Sequence, residues 1–193
     1  AEAMSRKNNS DFRRVFDLDR PDFPKGTPFW KDVSFNEATE RNAIFQQIES
    51  LLQDIPGTEM FRDQQQVNSL SSSYLDHGYG NFFYALARVL KPTLCVEMGI
   101  LHGFSLLNVA SALRDNGVGT IHGLDLFEDY PYRHGNYAEL RDNVATLGLS
   151  NIVEVDQADG FENVDRFEKL DLLHVDISNN GDTFRKTFDL WAG

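Results

Sequence analysis

Cys95-Val96-Glu97-Met98-Gly99-Ile100-Leu101-His102-Gly103-Phe104-Ser105 reads as an apolar strand, a turn with two glycines four residues apart, and the start of a helix. Glycine at such a turn lets the backbone bend sharply and lets a ligand approach the main chain. The carboxyl end of a strand is where open α/β sheets bind their ligands. A dinucleotide site would read G-x-G-x-x-G, whereas here Leu101 stands where the second glycine belongs and would crowd a pyrophosphate. Nicotinamide and flavin dinucleotides are therefore disfavoured.

Around this turn, short β-type runs alternate with helical periods, the pattern of βαβ units on a parallel sheet. The runs predict strands over Leu94–Met98, Thr120–Leu126, Ile152–Val155 and Leu170–Ile177. Between them, apolar spacing predicts helices over Phe104–Arg114 and Tyr137–Leu147, and a short helix near Phe161–Phe167. A last helix carries Phe184, Phe188 and Trp191. Upstream, Ser34-Phe35-Asn36-Glu37 is a capping-box pattern, followed by Ile44, Phe45, Ile48, Leu51 and Leu52 at helical spacing until Pro56-Gly57. A second helix is expected from about Gly80 to Leu90, ending at Lys91-Pro92. The expected organisation is an arm over residues 1–33, rich in charge and carrying Pro21, Pro24 and Pro28, a helical segment over 34–92, and an α/β domain over 93–193.

Composition narrows the function classes. With 41% hydrophobic and 25% charged residues the 193-residue chain is ordinary for a globular protein. No apolar run approaches the roughly 18 residues of a membrane span, and the amino-terminal residues lack a signal-peptide pattern. A cytoplasmic location and no membrane partner are expected. The net charge of −12 repels a phosphate backbone and no basic cluster interrupts it, so nucleic acid is not the expected partner. The single cysteine, Cys95, lies inside an apolar strand and reads as a buried structural thiol.

Two further strand ends give the glycine turn its meaning. About 25 residues on, His122-Gly123-Leu124-Asp125-Leu126 closes strand two with a carboxylate able to accept hydrogen bonds from ribose hydroxyls. Strand three ends in Gln157-Ala158-Asp159-Gly160, where Asp159 can accept from an adenine amino group and Phe161 can cover the ring. Glu97, Asp125 and Asp159 thus form an acidic row, suited to an adenosyl ligand with a cationic sulfonium and unsuited to pyrophosphate. The plainer alternative is that Glu97 caps a neighbouring helix, Asp125 and Asp159 begin turns, and Phe161 belongs to the core.

Val96-Glu97-Met98-Gly99, Gly103-Phe104-Ser105, Asp125, Asp159-Gly160 and His174-Val175-Asp176 together resemble the motif series of class I S-adenosylmethionine-dependent methyltransferases. The resemblance is nearest to the bacterial small-molecule group related to macrocin O-methyltransferases and cephalosporin hydroxylases, and covers the second half of the chain. It implies an α/β Rossmann-like sheet in strand order 3-2-1-4, preceded by N-terminal helices, and S-adenosylmethionine as cofactor. It further implies that Glu97, Gly99, Gly103 and Ser105 surround the methionine part, that Asp125 holds the ribose, and that Asp159 and Phe161 hold the adenine. The implied reaction is O-methylation of a small molecule or sugar. The alternative is a module that binds the cofactor, or its demethylated product, without turnover.

Methyl transfer to a hydroxyl requires alignment and removal of a proton. Asp176 stands where metal-dependent relatives ligate a divalent cation and others position the acceptor. With Asn179, Asn180 and Asp182 it offers oxygen ligands for Mg²⁺, although an Asx-rich turn capping the last helix explains these residues equally well. His102, in the turn itself, is the second catalytic candidate. His174 reads as a core residue, His122 as structural, and His77 and His134 lie in aromatic loops able to close over an acceptor. Members of the family normally carry seven strands, and the sequence ends at Gly193 after the helix following strand four. Strand four would then be an edge, and the expectation is a truncated form of a longer protein, or a homo-oligomer or partner chain covering that edge.

Overall fold

The computed structural model describes residues 38–54, 79–178 and 180–191. The arm over 1–33, the Ser34–Glu37 capping box, His77 and Asn179 lie outside the described residues. The chain divides into two compact units, residues 1–47 and 48–193. Of the first, only the amino-terminal part of helix α1 (Ala38–Asp54) is described. In the second, Ile48 is buried and Leu52 packs against the main core, as the helical spacing requires.

Four strands make one parallel sheet in the order β3-β2-β1-β4, the expected 3-2-1-4 arrangement. They are β1 (Leu94–Met98), β2 (Thr120–Asp125), β3 (Val153–Gln157) and β4 (Leu172–Val175). Strand β1 is central, with Cys95 opposite Ile121 on one flank and Leu172 on the other. Its side chains alternate between two apolar layers, as the two-residue period of a strand demands. Cys95 belongs to the larger core, shared with α2 (Tyr79–Leu90), α3 (Phe104–Asn116) and α4 (Tyr137–Thr146). Val96 and Met98 belong to a smaller one with Leu124, Phe161, Phe167 and Trp191. Helix α3 is buried at every residue from Phe104 to Leu113, and α2 packs along it. Helix α5 (Gly181–Trp191) lies on the other layer, where Trp191 meets Phe167 at 5.7 Å between ring centroids. Its Phe184 and Phe188 stay 61% and 74% exposed.

The boundaries depart from the sequence expectation where pairing decides them. Strand β4 is only Leu172–Val175 because it pairs with β1 alone among the described strands. The ladder ends where the Asp176 amide donates to the Met98 carbonyl at 2.8 Å. At the opposite end, the Asp171 carboxylate accepts from the Thr93 amide at 2.7 Å, the Thr93 hydroxyl and the Leu94 amide, fastening the starts of β1 and β4. These hydrogen bonds hold the Asp171 carboxyl below its ordinary pKa. Strand β3 runs to Gln157 because its partner β2 continues to Asp125. Leu126 is not part of β2, since the Asp125 carboxylate accepts from the Phe127 amide and turns the chain into a 3-10 turn over Phe127–Asp129. The helix expected near Phe161–Phe167 is instead two 3-10 turns, Gly160–Glu162 and Val164–Arg166, the first begun by the Asp159 side chain. Among the described residues no helix is long and apolar enough to cross a membrane.

Candidate functional site

The carboxyl ends of all four strands open on one cleft of about 360 Å³, within the range of small-molecule sites. The glycine turn forms its base. Gly99 has φ +85°, and a Cβ there would lie 2.6 Å from the Asp176 carbonyl oxygen, so only glycine lets the turn pass the end of β4. Leu101, also left-handed at φ 55°, lines the cleft. Gly103 does not; it begins α3 at φ +83° and packs against the Leu140 side chain.

Of the expected site residues, Gly99, Asp125, Asp159, Phe161 and Asp176 line this cleft. Glu97 and Ser105 lie beneath it. Glu97 is fully buried, its Oε1 accepting from the Ser105 hydroxyl at 2.6 Å. Its Oε2 stands 3.4 Å from His174 Nδ1, an ion-pair contact without the alignment of a hydrogen bond. Phe83 covers the imidazole at 4.6 Å between centroids. Burial acts to lower the His174 pKa, but the charge and proximity of Glu97, with the charge of Asp176, outweigh it and hold the imidazole above its ordinary value. Cys95 fits its reading as a structural thiol, since burial, then Asp171 and Glu97, push its pKa up to about 12. His102, expected as a catalytic group, is not among the residues lining the cleft.

The two rim carboxylates begin turns as well as facing the cleft. Asp125 Oδ2 accepts from the amides of Ile100 at 2.5 Å and Leu101 at 3.1 Å, and Oδ1 from Phe127 at 2.7 Å. A carboxylate has about four acceptor sites, so three are engaged and about one remains for a ligand hydroxyl. The residue expected to hold a ribose therefore also clamps the glycine turn. Asp159 Oδ1 accepts from the Phe161 amide at 2.8 Å. Phe161 packs in the smaller core, and Lys186 Nζ lies 4.2 Å from its ring centroid.

Of the oxygen donors expected for Mg²⁺, Asp176 lines the cleft and Asn179 lies outside the described residues. Asn180 Oδ1 caps α5 by accepting from the Thr183 amide at 2.8 Å. Among the described residues no three His, Cys, Asp or Glu side chains are grouped to hold a metal ion. The loop around His134 is legible from its aromatic, Gly and Pro content; that Tyr130 and Arg133 line the cleft with it is not. A Cβ on Gly135 would overlap the Leu101 carbonyl oxygen. That glycine, just after the aromatic run, was the available sign that the loop docks on the turn.

No curated protein sequence matches the chain. Among solved structures, it is similar to an O-methyltransferase from Bacillus cereus in complex with SAH, at 19% identity and a TM-score of 0.48, covering 75% of this chain and 61% of that one. It is also similar to the O-methyltransferase TomG from Streptomyces achromogenes in complex with SAM, at 18% identity and a TM-score of 0.48, covering 68% and 57%. A third is the SAH-bound methyltransferase PaMTH1 from Podospora anserina, at 19% identity and a TM-score of 0.48, covering 95% and 64%. The chain spans about three fifths of the length of the first solved structures it matches. The methyltransferase-domain family matches over residues 96–193, from within β1 to the last residue. That match takes in just over half of the sequence, and the chain belongs to the methyltransferase-domain family.

Proposed function

We propose that the cleft binds S-adenosylmethionine and that the protein transfers its methyl group to a hydroxyl of a small molecule or sugar. The observation that carries this reading is the meeting of Asp125, Asp159 and Asp176, from the ends of three strands, around one cleft that also contains Phe161 and the Gly99 turn. The residues fit such a ligand. Acceptor oxygens suit a ribose diol, an adenine amino group and a positive sulfur, and the aromatic ring suits a base. The net charge of −12 supports a small acceptor over a nucleic acid. The motif resemblance to the macrocin O-methyltransferase and cephalosporin hydroxylase group points the same way.

When bound, S-adenosylmethionine supplies a methyl group on a positively charged sulfur, open to in-line attack. The protein's part is alignment and proton transfer. Asp125 holds the ribose with its remaining acceptor capacity and keeps the glycine turn in place. Asp176, at the end of β4, would accept the proton of the acceptor hydroxyl.

Thermal shifts with S-adenosylhomocysteine, NAD and ADP-ribose test the cofactor, because a ligand selective for the folded state raises its melting temperature. Stabilisation by S-adenosylhomocysteine alone is expected; stabilisation by NAD alone would sink the proposal. One observation favours a second reading, a module that binds the cofactor without turnover: His102, one of the two expected catalytic groups, does not line the cleft. Methyl transfer to a panel of phenols and sugars, lost in Asp176→Asn while S-adenosylhomocysteine still binds, would decide for the enzyme.

A further inference from the structure

The cleft holds one feature that the acidic row leaves unexplained. Among the described residues lining it, Arg133 is the one arginine or lysine, set in a wall otherwise marked by Asp125, Asp159 and Asp176. It sits in the loop between β2 and α4, beside Tyr130 and His134. That loop is seated on the glycine turn. Gly135 is buried, and its Cα approaches the Leu101 carbonyl so closely that no side chain fits between them. At the far end, the Asn136 side chain caps α4 by accepting from the Glu139 amide at 2.8 Å, and the Glu128 carboxylate accepts from the Tyr137 amide at 3.0 Å. The arginine is thereby carried on a loop fixed on both sides and held over the β1–α3 turn.

We infer that Arg133 binds the carboxylate of the cofactor's amino-acid tail. This rests on the adenosyl reading of the cleft. An S-adenosyl amino acid carries several groups that suit acidic or acceptor partners and one, the carboxylate, that an acidic wall repels. Three aspartates alone would disfavour that end of the ligand. A planar guanidinium with paired N–H donors matches a carboxylate in two parallel hydrogen bonds, and no ammonium offers the same fork. Among the described residues, no carboxylate forms an ion pair with Arg133, which leaves its donors to a ligand. The Leu101 contact places the loop beside the turn that leads into α3, where the helix's amino-terminal dipole also favours negative charge.

The test compares two ligands that share the adenosine and sulfur but differ in the tail. S-adenosylhomocysteine has the amino-acid carboxylate; 5′-deoxy-5′-methylthioadenosine lacks it. By calorimetric titration, Arg133→Ala is expected to weaken S-adenosylhomocysteine about 10–100-fold, the scale of lost hydrogen bonds between charged groups. The methylthioadenosine affinity should change by less than about threefold, and Arg133→Lys should recover part of the loss. Melting temperatures without ligand, compared across the three proteins, separate a folding defect from a binding one. Equal weakening of both ligands, or no weakening of S-adenosylhomocysteine, would overturn the assignment of Arg133 while the cofactor reading stands. Binding of neither ligand to the unsubstituted protein would remove the cofactor reading itself, and this inference with it.

Discussion

Glu97 and Asp125 are both acids at the carboxyl ends of neighbouring strands, yet the fold uses them differently. Glu97 lies on the floor with no exposure; its register partner on β2 is Gly123, which offers no side chain, and on β4 it is His174. Among the described residues its partners are Ser105 on α3 and His174 on β4. Asp125 sits on the rim, holding three backbone amides of the surrounding turns while still lining the cleft. The same charge is sealed in the interior where neighbouring side chains enclose it, and reaches the cleft where the chain turns away beside it.

Substitutions should separate floor from rim. The largest effect is expected for Glu97→Ala, which takes the partner from the buried Ser105 hydroxyl and from the half-buried His174 imidazole. Breaking a buried pair from one side costs about 3–5 kcal/mol, read as a shift in the urea unfolding midpoint. A change under about 1 kcal/mol would show that the floor carries little of the stability. Next, Gly135→Ala must push the loop off the Leu101 carbonyl, at about 1–3 kcal/mol. If that loop forms the cleft wall, S-adenosylhomocysteine affinity should fall in the same variant. Asp125→Ala is expected to weaken S-adenosylhomocysteine by about 1–3 kcal/mol, the scale of a lost charged hydrogen bond. Its effect on unfolding should be smaller than that of Glu97→Ala, and the reverse ranking would break the distinction. The smallest effect concerns pH. The folded His174 holds its proton more tightly than an unfolded histidine, so the folded state binds more protons between the ordinary value of 6.5 and its raised pKa. Its stabilising contribution is therefore complete below about pH 6.5 and lost as pH rises through the folded pKa. Unfolding midpoints across that range should fall more steeply in the unsubstituted protein than in His174→Gln.

Much of the architecture was legible because it rests on local periods. The bounds of β1 were readable to the residue, since an apolar run closes on Gly99 and Gly103, positions where the backbone is left-handed. The starts of α3 and α4 followed from the same kind of punctuation. The ends of β4 were not legible. Leu170, Asp176 and Ile177 look like strand residues, but a strand continues only while a partner lies beside it, and β1 stops at Met98. The short helix after β3 resolved into two 3-10 turns because Asp159 satisfies the Phe161 amide from the side, which no apolar spacing records.

For the site, the sequence alone determined the residue types and their order: a glycine turn without the dinucleotide pattern, then acids at successive strand ends. These follow from chain connectivity, because parallel strands must each finish on the same edge of the sheet. Only the tertiary structure decided which acids share the cleft and which lie beneath it. It also decided that Arg133 joins them from a loop and that His102 does not. Those outcomes depend on contacts between residues distant in sequence, such as Gly135 on Leu101 and His174 beside Glu97. Close packing of such pairs, and not any one residue's character, sets whether a charge meets water, a ligand or another buried side chain.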